Sequence, residues 1–162
     1  MFREMTKDDF DAFWPTFSEV IAAQETYAFE PNMTLDQSFD VWCKAPLKTF
    51  VYLKDEEILG SFYIKANAAG PSRHICNCGY MVSESARGKG IARLMCEYSQ
   101  QIAIKLGFEA MQFNSVVSTN TIAVALWKSL GFDIVGTIPR AYKHSRLGYV
   151  DSFVMYKGLV EE

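Results

Sequence analysis

The segment Val82-Ser83-Glu84-Ser85-Ala86-Arg87-Gly88-Lys89-Gly90-Ile91-Ala92 carries residue types that can hold a diphosphate. It runs from an apolar, strand-like stretch into an amphipathic, helix-like one. A helix start leaves backbone N–H groups unpaired and carries partial positive charge. Gly88 and Gly90 have no side chains to keep a phosphate away from those donors. Arg87, Lys89 and Arg93 add formal positive charge at the same turn. Together these residues make an anion site. A P-loop would need G-x4-G-K-S/T, which is absent, and a dinucleotide fingerprint would need glycine where Arg93 stands. A glycine-rich turn with solvated charges is the plain alternative for a bare Gly-x-Gly.

Strands and helices must present that turn, and the hydrophobic spacing predicts them. After a short opening strand, Thr6-Lys7-Asp8-Asp9 has the form of a helix N-cap. Phe10, Phe13, Trp14, Phe17, Val20 and Ile21 then follow at helical spacing. Pro15 predicts a kink or a break in that helix. A capping box at Thr34-Leu35-Asp36-Gln37 opens a second helix, which should stop before Pro46. Residues 49–53 and 58–64 read as a hairpin around a polar turn, and residues 74–82 as a third strand. Gly79, inside that third strand, reads as a bulge or as a place where another backbone comes close. Ile91 to Leu106 and Ile122 to Leu130 are helical, each closed by a Leu-Gly-Phe. Residues 110–116, 132–138 and 152–156 supply the remaining strands. Two strand–helix units in succession imply at least one parallel pairing in a mixed α/β sheet.

Composition narrows the class of protein. A chain of 162 residues without repeats or linkers is expected to be one domain, 1–162. The net charge of −3 argues against nucleic-acid binding. No apolar run is long enough to span a membrane, and the start lacks a secretory pattern, so a cytoplasmic protein is expected. Cys43, Cys76, Cys78 and Cys96 are not spaced as zinc ligands with His74 or His144, so no metal is expected and the thiols read as reduced.

Arg87-Gly88-Lys89-Gly90-Ile91-Ala92 matches the Q/R-x-x-G-x-G/A motif of the GCN5-related N-acetyltransferases (GNAT). Asn120-Thr121-Ile122-Ala123-Val124-Ala125-Leu126-Trp127-Lys128-Ser129-Leu130-Gly131-Phe132 resembles that family's second motif, in the right order. The resemblance implies the acyl-CoA N-acyltransferase fold: a mixed, mostly antiparallel central sheet with splayed central strands, flanked by helices. It also implies acetyl-CoA as cosubstrate. The pyrophosphate would lie on Arg87, Gly88, Lys89, Gly90, Ile91 and Ala92, and pantetheine along Met81, Val82 and Ser83. Asn120 would both bond the cofactor and cap its helix. A backbone N–H near Met81 or Val82 would receive the oxyanion.

The catalytic positions depart from the family pattern. Trp127 stands where the family's tyrosine acid is expected, and an indole N–H donates a hydrogen bond but no proton. The third strand carries no carboxylate. Tyr80 is a relay candidate on that strand, Glu30 is a base candidate in the loop after the first helix, and a water-mediated base is the third option. The expected reaction is direct attack by a primary amine of a small molecule in a ternary complex. The rival readings are a catalytically weakened acyl-CoA-binding module and acetylation of a protein N-terminus or lysine. Residues 140–151 resemble an acceptor-side hairpin in which Asp151 and Tyr149 orient the amine; a homodimer contact is the alternative use of that segment.

Overall fold

The computed structural model describes residues 1–161. Its framework is one seven-stranded sheet in the order β1-β2-β3-β4-β5-β7-β6. The strands are β1 (Phe2–Glu4), β2 (Lys48–Lys54), β3 (Glu57–Ala66), β4 (Ile75–Val82), β5 (Ala110–Val117), β6 (Asp133–His144) and β7 (Gly148–Gly158). The β4–β5 pair is parallel and every other pair is antiparallel. The parallel pair is the one bridged by a helix, as a crossover requires.

Four α-helices cover the two faces: α1 (Lys7–Ala23), α2 (Leu35–Phe39), α3 (Ile91–Lys105) and α4 (Thr121–Ser129). Under α1 and α2 lies an aromatic core of Phe10, Phe13, Phe17, Ile21, Trp42 and Met81. Under α3 and α4 lies a larger core that includes Phe62, Ile64, Tyr80, Met95, Met111, Phe113 and Trp127. Because side chains alternate along a strand, β4 sends Cys76, Cys78 and Tyr80 to the second core and Met81 to the first.

Both capping boxes form. Thr6 Oγ1 accepts from the Asp9 N–H while the Asp9 carboxylate accepts from the Thr6 N–H, and Thr34 with Gln37 repeats the arrangement. A single π turn (Asp40–Lys44) ends the second helical segment before Pro46. Of the kink or break expected at Pro15, the break does not occur: α1 is helical from Lys7 to Ala23. Pro15 lies on the exposed face, where water can bond the carbonyl it leaves free, and the buried stripe from Phe10 to Ile21 anchors the helix on both sides of it. The last two strands are also longer than residues 132–138 and 152–156. Pairing continues from Ile138↔Ser152 through a bulge to His144↔Gly148, so most of the polar segment 140–151 is strand.

Gly79 is not a bulge. It stays in register opposite Tyr63, and the β3–β4 pairing runs unbroken from Gly60↔Val82 to Ala66↔Cys76. Register shifts lie instead in β2–β3, between Tyr52 and Leu53, in β6–β7, and in β5 against β7, between Phe113 and Val116.

Candidate active site

β4 and β5 pair only at Ile75↔Ala110 and Cys76↔Met111, then separate. Where the backbone ladder stops, one side chain continues it: Asn77 Nδ2 donates to the Gln112 carbonyl at 3.0 Å. Tyr63 Oη in turn donates to Asn77 Oδ1 at 3.0 Å. Beyond this point the strands bound a cleft of about 620 Å³. That volume lies within the range of small-molecule sites.

The strand pattern decides which backbone groups face the gap. Ser83 N–H donates to the Leu59 carbonyl at 2.9 Å, and Asn67 N–H to the Ile75 carbonyl at 2.8 Å. In an antiparallel ladder alternate residues bond the partner strand. Ile75, Asn77, Gly79, Met81 and Ser83 therefore bond toward β3, while Cys78, Tyr80 and Val82 turn their N–H and C=O groups to the gap. Val82, not Met81, is thus the residue whose N–H faces the cleft. Ser83 is further committed to β3 through its hydroxyl, 3.2 Å from the Leu59 carbonyl.

From Val82 the chain enters a short 3-10 turn (Glu84–Ala86), then reaches α3 through Gly88 and Gly90 at φ +78° and +79°. Glycine adopts this left-handed conformation without steric cost. Among the described residues, the N–H groups from Gly88 to Arg93 meet no acceptor; the first intrahelical bond runs from Leu94 N–H to the Gly90 carbonyl. Lys89 is exposed and Ile91 is buried in the core. Arg87 and Ala92 line the cleft. Arg87 also faces Glu19 across 3.7 Å. Asn120 caps α4, accepting from Ala123 N–H at 3.4 Å, and lines the cleft beside Ile122 and Ala123.

A strand that parts from its neighbour above an open, glycine-lined helix start is the arrangement the two motifs implied. The acetyltransferase (GNAT) family model matches residues 7–132. The chain belongs to that family. It is 34% identical over 93% of its length to N-acetyltransferase aca1 of Schizosaccharomyces pombe, covering 67% of that protein. It is similar to a GCN5-related N-acetyltransferase structure from Kribbella flavida, with 40% identity, a TM-score of 0.92, and coverage of 98% of this chain and 96% of that one. A phosphinothricin acetyltransferase from Sinorhizobium meliloti, solved in complex with acetyl-CoA, shares the fold at a TM-score of 0.85 and 20% identity, over 98% of this chain and 87% of that one.

In this GNAT acyltransferase the catalytic candidates are scattered. Trp127 lines the cleft, 8% exposed, with its ring 5.2 Å from Tyr80 and 5.0 Å from Phe113 between centroids. Tyr80 contributes backbone to the gap, but its phenol turns into the core, 2.6 Å from Ser99 Oγ. Burial pushes that phenol well above its ordinary pKa, with Cys78 and Cys96 adding to the effect. The phenol of the relay candidate Tyr80 thus stands in the core, hydrogen-bonded to Ser99 Oγ. Glu30 is exposed and lines a separate surface depression with Met33 and Gln37, not the cleft. Asp151 is engaged outside the cleft, accepting from Arg140 N–H at 2.9 Å, and Tyr149 packs under the Arg140 guanidinium.

Three cleft residues carry no sequence signal. Glu19 and Glu25 are its carboxylates, on α1 and just beyond it. Glu25 pairs with Arg146 of the β6–β7 hairpin at 3.3 Å. Tyr27 stands three residues before Glu30 in the loop after α1, yet its hydroxyl reaches the β4 backbone at Tyr80. No motif marks these residues, because they act through distant partners.

Proposed function

We propose that residues 1–162 form one N-acetyltransferase domain that acetylates a primary amine of a small molecule, with acetyl-CoA as donor. The observation that carries this reading is the gap between β4 and β5, with Val82 N–H facing into it and unpaired N–H groups from Gly88 to Arg93 at its mouth. These residues fit coenzyme A. The loop amides suit a pyrophosphate, aided by Arg87 and Lys89, and the gap-facing carbonyls of β4 suit the amide N–H groups of a pantetheine arm. Asn120 stands at the same mouth. Bound acetyl-CoA supplies an activated thioester.

The chain's own residues supply positioning and proton handling. Val82 N–H donates to the oxygen on which charge develops. Glu25, at the acceptor end beside Thr26 and Tyr27, takes the proton from the acceptor ammonium, directly or through water. Trp127 packs against the reacting region and moves no proton. Cys78 is the cysteine among the cleft-lining residues, and burial, reinforced by Cys76, pushes its thiol well above the ordinary range. A thiol so far from its thiolate is a poor nucleophile, which favours direct attack over an acetyl-enzyme. The four cysteines are unpaired, which suits work in a reducing cytoplasm. No helix among the described residues is long and apolar enough to cross a membrane.

The test is thiol release from acetyl-CoA across a panel of small amines, beside calorimetric binding of acetyl-CoA. Thiol release with any of them supports the reading. Binding without release against every amine favours an acyl-CoA-binding module instead, the reading that Trp127 in place of a tyrosine supports. Absence of binding sinks both.

A further inference from the structure

Tyr27 replaces a missing strand. Past Cys76 no β5 residue pairs with β4, so the N–H and C=O of Tyr80 face an open gap. A neighbouring strand would offer those two groups one acceptor and one donor. The Tyr27 hydroxyl offers both: it accepts from Tyr80 N–H at 2.6 Å and donates to the Tyr80 carbonyl at 2.5 Å. Burial holds the phenol protonated well above the neutral range, so the donor persists at working pH.

The phenol is held from several directions. Its ring stacks on Phe29 with centroids 5.6 Å apart, and meets Trp42 edge-on at 6.1 Å. Tyr142 Oη donates to the Tyr27 carbonyl at 2.9 Å, and Ser145 N–H to the Gln24 carbonyl at 3.1 Å. Both donors come from the β6–β7 hairpin at the far edge of the sheet. The loop after α1 is thereby clamped against β4 at the one residue between the two gap-facing groups left for ligands, Cys78 and Val82.

We infer that Tyr27 is a positioning residue for acetyl transfer: its bridge to Tyr80 holds β4 so that Val82 N–H is aimed into the gap, and it divides the donor end of the cleft from the acceptor end. The inference rests on the acetyl-transfer reading above. Tyr27 acts through the β4 backbone and touches no reacting atom.

The experiment is steady-state kinetics of Tyr27→Phe, which keeps the ring and removes the bridge, with Tyr142→Phe beside it. The expected result for Tyr27→Phe is a fall in kcat of about 10- to 100-fold, while KM for acetyl-CoA moves by less than about threefold, because the pyrophosphate loop is untouched. The Tyr80 amide should also lose protection in hydrogen exchange followed by NMR. Tyr142→Phe leaves the bridge in place and should lower kcat less. An unchanged kcat in Tyr27→Phe, or a kcat and an acetyl-CoA affinity that fall together, overturns the positioning role while leaving acetyl transfer intact. A wild-type protein that releases no thiol with any amine overturns the reading beneath it, and this role with it.

Discussion

The ring of Tyr63 occupies the space that a side chain at position 79 would fill: a Cβ on Gly79 would lie 2.4 Å from Tyr63 Cε2. Tyr63 can therefore lie flat across β4 and reach Asn77. Asn77 then holds β5 at the point where the two central strands separate. The absence of one side chain thus sets where the cleft begins.

Gly79→Ala should destabilise the fold by about 1–3 kcal/mol, the usual range for overpacking. Denaturant melts would measure it. Combining Gly79→Ala with Tyr63→Ala should cost less than the sum of the two single changes, because the clash is removed with the ring. Strict additivity would show that the two residues do not share this space.

Glu25→Gln keeps the size of the side chain and removes the base. Its kcat should fall by about 10²-fold if Glu25 takes the proton as proposed. An unchanged kcat would move the proton to water or to Glu19.

Replacing Gly88 or Gly90 with Val should weaken acetyl-CoA binding at least tenfold, by roughly 1.4 kcal/mol or more in calorimetry. No atom lies within 4 Å of a Cβ at either position, so crowding within the protein is not the cause. The effect comes from a left-handed backbone that a β-branched residue resists, and from a side chain that shields the amides from a phosphate. Binding equal to wild type in both variants would remove the anion site from this loop.

Asp9 gives the fold an acid limit. Its carboxyl is held at about 2, below its ordinary value of 3.8, chiefly by hydrogen bonding to the Arg3 guanidinium and further by Thr6. One of the two Arg3–Asp9 contacts is 2.9 Å. A depressed folded-state value means the contribution is complete above the unfolded value and disappears as pH falls from about 4 to about 2. Stability should drop by about 2 kcal/mol across that window in urea melts. In Asp9→Asn the drop should be smaller, from a lower starting stability. The same pH slope in both proteins would exclude Asp9 as its source.

Local patterns were sufficient for some of these features and silent on others. The capping boxes at Thr6 and Thr34 and the glycine turn before α3 each follow from residues close together in the chain, where backbone sterics and helix-end hydrogen bonds act. Pro15 does not break α1 because a buried stripe outweighs one lost hydrogen bond on an exposed face. Gly79 misled because a glycine in a strand suggests a bulge or an approaching backbone, and here what approaches is a side-chain ring from the neighbouring strand.

The chemistry of the cleft is divided in the same way. The open, glycine-lined helix start and the membership of an acetyltransferase family are written in two contiguous motifs, since one short stretch of backbone builds each. The acceptor end is not. Tyr27 bonds a residue 53 positions away and is itself held by one 115 positions away, and Glu25 faces Arg146 across the same fold. Tyr80, promising by its place on the strand, proves to point its hydroxyl into the core, while Tyr27 points its own at the strand. Side-chain direction at such positions depends on which surfaces pack together, and packing between remote segments leaves no periodicity to read.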